Sequence, residues 1–179
     1  EYCKNNIRHA AGGTSGHNTV VIDHQSQSGP GKTDFGRGYA FNEGRPRLYE
    51  GRAPGLRVLS VDAAHAYIGL GCQKYQRTMI MNTYDKARPY VLDVFQVRGG
   101  TTRDYFLKSS VQHAMSGETS FPMAEMPGLC PLVPEDEAAA IASGKMKDTD
   151  MGSGYRLFFN VRRGSAEPGG TVDYRVKAP

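Results

Sequence analysis

Short apolar runs separated by glycine, proline and turn-forming residues dominate the chain, and most of the runs alternate with a period of two. The first clear one is Val20-Val21-Ile22-Asp23, read as a strand with Val20 and Ile22 on one face and Val21 and Asp23 on the other. A polar, glycine-rich segment follows over residues 24–38, long enough for a loop at the rim of a site. Residues 47–67 read as two strands broken at Pro54-Gly55, with Leu56, Val58 and Ser60 alternating against Arg57, Leu59 and Val61. Residues 75–84 form the next strand, Met79 and Met81 opposing Thr78 and Ile80, and turn chemistry closes it over 85–89. The runs 90–98 and 101–111 flank Gly99-Gly100, so they predict a hairpin whose glycines accept positive φ.

Residues 115–134, rich in Pro, Gly and Met, predict irregular structure. Glu135, Asp136 and Glu137 before Ala138, and Gly144 with Lys145 after, predict a short helix near 135–143. Two further strands are expected over 155–163 and 171–176, around a turn region at 164–170. The sum is an all-β chain, an antiparallel β-sandwich with one short helix, forming a single domain over residues 1–179.

Composition narrows this picture only a little. No apolar run approaches the roughly 18 residues of a membrane-spanning helix. The chain opens on Glu1 rather than Met, which leads us to expect a piece of a larger protein. Cys3, Cys72 and Cys130 are too scattered for a disulfide framework or a Cys-x-x-Cys metal site. The net charge of +4 includes five arginines between Arg37 and Arg57 against Glu43 and Glu50. That stretch is either a solvated basic edge or a face for a polyanion such as an acidic polysaccharide. Nothing supports a nucleic-acid reader beyond mild basicity.

Specific catalytic signatures are missing: no Gly-x-x-x-x-Gly-Lys, no Gly-x-Ser-x-Gly, no His-Glu-x-x-His. The five histidines match no local metal motif, and His17 and His24 stand at opposite ends of the first strand. His17, at the mouth of that strand, is either a structural hydrogen-bonder or a ligand whose partners come from elsewhere. Tyr90 and Tyr105 fit sheet positions better than catalytic ones.

Several segments together resemble the heparinase II/III-like polysaccharide lyases: His17-Asn18-Thr19-Val20-Val21-Ile22-Asp23 with Gln25 and Gln27, Phe41-Asn42-Glu43-Gly44, Tyr75-Gln76-Arg77-Thr78, and residues 90–100 followed by Asp104-Tyr105. The likeness is to the family's C-terminal β-sandwich region and covers residues 16–111. It implies β-elimination of uronate-containing acidic polysaccharides, heparin, heparan sulfate or alginate, in the periplasm or outside the cell. It also implies an N-terminal α/α toroid that carries the catalytic tyrosine and the residues neutralising the uronate, so no catalytic residue is assigned in this chain. By the same resemblance His17 is a zinc ligand, with the remaining ligands, a histidine and an aspartate, expected before Glu1. Tyr2, Asn18, Arg45 and Arg47 are the expected substrate-binding residues. Two positions depart from the family pattern: Cys3-Lys4-Asn5-Asn6 around Tyr2, and Arg103 where relatives often carry His before Asp-Tyr. From a different class, the rival reading is a non-catalytic carbohydrate-binding or scaffold module that uses residues 37–57 and the 24–38 loop.

Overall fold

In the computed structural model, residues 14–27, 43–107, 115–127, 132–133, 135–145, 155 and 161–176 are described. Two compact units divide the chain: Val20–Asp104, and Glu1–Thr19 together with Tyr105–Pro179.

In the first unit, β2 (Arg45–Glu50), β3 (Leu56–Asp62), β4 (Lys74–Asn82) and β5 (Tyr90–Arg98) form a four-stranded antiparallel sheet in sequence order. Alternation places Tyr75, Phe95 and Val97 on one face. There they pack with Val20 and Ile22 of β1 (Val20–Ile22), with Ala66 and Tyr67, and with Cys72. Tyr67, Tyr75 and Phe95 form a chain of tilted and edge-on rings with centroids 5.3 and 4.9 Å apart, a favourable aromatic geometry. Arg77 lies over Phe95 on the same face, and its Nε and Nη2 reach the two Asp93 oxygens at 2.9 and 2.7 Å.

Where the second strand of the 47–67 run was expected to reach Tyr67, β3 stops at Asp62 and a 3-10 turn occupies Ala64–Leu70. The Asp62 carboxylate accepts the Ala64 N–H at 3.0 Å and bends the backbone out of the sheet. The polar 82–89 segment joins β4 to β5 as the hairpin of this sheet, with Asn82 accepting from Tyr84 N–H and Asp85 from Ala87 N–H.

The hairpin expected across Gly99-Gly100 is not formed. Both glycines have positive φ, +116° and +68°, as a tight turn requires. The strand that follows, β6 (Arg103–Tyr105), leaves the sheet and pairs with β1 instead. Beyond residue 107 that predicted strand runs outside the described residues.

The second unit carries β7 (Met115–Thr119) paired antiparallel with β10 (Val172–Val176), and β8 (Ala124–Glu125) paired antiparallel with β9 (Arg162–Arg163). Strands therefore occupy part of the 115–134 stretch expected to be irregular. Met-Ser-Gly-Glu-Thr has no apolar alternation, and its strand exists because β10 supplies the ladder partners. Helix α1 (Glu135–Ala142) forms as expected, with Gly144 at φ +72° donating to the Ile141 carbonyl at its end. Among the described residues the chain is thus all-β and antiparallel with one short α-helix, consistent with the sandwich reading. Among the described residues no helix is long and apolar enough to cross a membrane.

Candidate functional site

The site is built outward from β1. Val20, Val21 and Ile22 are all buried, so this three-residue strand is covered on both of its faces. Tyr75 Oη donates to the Val20 carbonyl at 2.5 Å and accepts from Gln27 Nε2 at 3.1 Å. One buried hydroxyl thus ties β4 both to the strand and to the segment leaving it.

At Ile22 the chain reverses sharply. Asp23 and His24 have φ of 49° and 57°, and the Gln25 N–H donates to the Ile22 carbonyl at 3.0 Å. Two successive left-handed residues are what a type I′ turn needs, and Asp is among the non-glycine residues that tolerate it. The Asp23 carboxylate then accepts the Thr101 and Thr102 N–H groups, each at 2.7 Å, while its own N–H donates to the Thr102 carbonyl. The Thr102 N–H in particular holds the Asp23 carboxyl below its ordinary range, against the opposing effect of partial burial.

Gly100 must be glycine here, since a Cβ would fall on Ile22 Cγ2 and press on the Asp23 carboxylate. From the far side Arg103 donates to the carbonyls of Gly99 and Gly100, each at 3.1 Å. His24 faces Asp104 across this corner, Nε2 to Oδ2 3.5 Å, both side chains 37% exposed. That pairing escaped the sequence reading because the two residues are eighty positions apart; only the β1–β6 ladder brings them together.

The residues singled out from sequence are placed separately. His17 and Asn18 lie in the exposed bend after the Thr14–Gly16 turn, with the His17 N–H donating to the Thr14 carbonyl at 3.1 Å. No group of three His, Cys, Asp or Glu side chains able to hold a metal occurs among the described residues. His17 therefore offers a single accessible donor, and the described residues alone do not make a zinc centre. Arg45 and Arg47 are exposed on β2, Arg47 paired with Asp62 at 2.9 Å. Tyr2, and most of the 24–38 loop, lie outside the described residues. Cys72 is buried and free, its thiol pushed up by desolvation, which fits packing and not reactivity.

The family model for the heparinase II/III-like C-terminal domain matches residues 1–141, four-fifths of the chain. This chain belongs to that family. No curated protein and no solved structure shows significant similarity to it. Within the heparinase II/III-like domain, the β1 corner coincides with the His-Asn-Thr-Val-Val-Ile-Asp string on which the resemblance rests. What distinguishes this string physically is that its last residue, Asp23, closes two turns at once.

Proposed function

We propose that this chain is the β-sandwich domain, over residues 1–179, of a polysaccharide lyase that cleaves uronate-containing acidic polysaccharides by β-elimination. The observation that carries this reading is the family match over residues 1–141. Elimination needs a neutralised carboxylate to stabilise the enolate, a base for the adjacent proton and an acid for the leaving oxygen. The described residues offer no such constellation, so in our reading an N-terminal α/α toroid supplies the chemistry and this domain supports the cleft. His17 contributes one ligand to a zinc ion whose other donors come from that preceding region, and Asn18 and Tyr2 are assigned to substrate binding. Work on such a polymer places the protein in the periplasm or outside the cell.

The test is the ultraviolet absorbance of unsaturated uronate released from heparin, heparan sulfate and alginate, by the protein encoded by the full reading frame and by the 179-residue chain. Elimination by the former and none by the latter is expected. Turnover by the chain alone, or none by the full protein on any uronate polymer, overturns the reading. Metal analysis of the full protein should show zinc lost in His17→Ala with the circular dichroism spectrum unchanged.

A further inference from the structure

The outer face of the four-stranded sheet holds a second feature. Cross-strand register sets Arg45, Asp62, Gln76 and Gln96 in one row across β2, β3, β4 and β5, and Lys74 opposite Arg98 in the row beside it. All six side chains leave the sheet on the same side, because they sit at pleat positions opposite Tyr75, Phe95 and Val97. Those three pack into the core with β1, so this end of the sheet has one face committed to the core and the other polar.

The polar face is unevenly charged. Arg47 joins it by its bond to Asp62, giving four cations against one carboxylate, and that carboxylate is already engaged by Arg47 and the Ala64 N–H. Among the described residues Arg45, Lys74 and Arg98 form no ion pair. An ordinary solvated sheet face interleaves both signs to avoid this repulsion. The floor beside the cations is hydroxyl and amide: Ser60 Oγ lies 2.8 Å from Thr78 Oγ1 and accepts from Gln76 Nε2 at 2.7 Å, while the Gln96 side chain is exposed.

We propose that this outer face is a binding platform for an acidic saccharide, with Arg45, Lys74 and Arg98 holding sulfate or carboxylate groups and Gln76 and Gln96 meeting sugar hydroxyls. Three strand spacings make the Arg45–Gln96 row about 14 Å long, so a short oligosaccharide, not a single sugar, is the fitting ligand. No aromatic side chain lies in either row, so neither row offers a ring on which nucleic-acid bases would stack. The platform deepens the lyase reading by giving the domain a substrate-holding role of its own.

Fluorescence anisotropy of a labelled heparin-derived octasaccharide against the 179-residue chain tests it. Replacing Arg45, Lys74 or Arg98 by Ala should each weaken binding about tenfold, as expected for loss of one charge-assisted contact. The triple variant should bind beyond the measurable range and lose most of its salt dependence. Arg52→Ala and Arg88→Ala, exposed arginines outside the rows, should stay within about twofold; thermal midpoints of all variants control for folding. No binding by the wild-type chain overturns the platform, as does binding that the triple variant keeps, or equal competition by a single-stranded oligonucleotide of the same charge. Binding that persists in a full protein devoid of elimination activity separates the platform from the lyase reading; elimination without this binding refutes the platform alone.

Discussion

Replacing Asp23 probes the corner that joins β1 to the segment leading into β6. Its carboxylate accepts two backbone N–H groups at 2.7 Å, from Thr101 and Thr102. A hydrogen bond to a charged acceptor contributes about 1.5–3 kcal/mol when buried, and since water reaches this partly exposed carboxylate we take about 1 kcal/mol for each. Asp23 also sits at φ 49°, where an alanine costs about a further 1–2 kcal/mol. Asp23→Ala should therefore cost about 3 kcal/mol, Asp23→Gly about 2 because only the hydrogen bonds are lost, and Asp23→Asn about 1 because a side-chain carbonyl remains and the turn is tolerated. Urea unfolding of the 179-residue chain, followed by circular dichroism, reads these differences; the alanine variant should melt about 6–12 °C below wild type.

The charge has its own signature. Folding depresses the Asp23 carboxyl, so its contribution is complete above the ordinary carboxylate range and is lost as pH falls through the depressed folded value. The difference between wild type and Asp23→Asn should thus shrink on acidification below about pH 4 and be constant above about pH 5. An alanine variant as stable as the asparagine one, or a difference that grows in acid, would refute the account of the corner.

Other expectations concern the packing behind it. Tyr75→Phe removes the donor to the buried Val20 carbonyl and the acceptor for Gln27, and should cost about 1–3 kcal/mol in the same unfolding assay. Gly100→Ala should cost far more than Gly71→Ala: both have positive φ, but only at Gly100 would the Cβ collide, with Ile22, whereas Gly71 faces open space. About 1 kcal/mol is expected at Gly71 from backbone conformation alone, and equal losses at the two glycines would count against the observed packing. Arg77→Lys loses the two-pronged contact with Asp93 and should destabilise by about 1 kcal/mol, a loss that 1 M salt reduces.

Much of the fold could be read from period and punctuation. Alternation located β4 and β5 almost residue for residue and β3 at its start, because a half-buried sheet imposes a period of two on its side chains, while β3 ends five residues before the expected limit at Tyr67. Acids before alanines and a glycine after them located α1 by the same kind of local chemistry. The sequence also marked the His-Asn-Thr-Val-Val-Ile-Asp string as the stretch that matters, and the family match over residues 1–141 includes it.

Partner choice was a different matter, since it is settled between residues far apart in the chain. Gly99-Gly100 announces a turn, yet it is the Asp23 carboxylate, some eighty positions away, that takes up the Thr101 and Thr102 N–H groups and directs β6 to β1. β7 carries no apolar pattern and becomes a strand only through β10. Even the basic character, visible as scattered arginines and lysines, acquires a location only when register sets Arg45, Lys74 and Arg98 on one face of one sheet. Local steric preferences fix where a strand or turn can exist, whereas the ladder hydrogen bonds that decide which strands meet are identical for every residue and carry no sequence label.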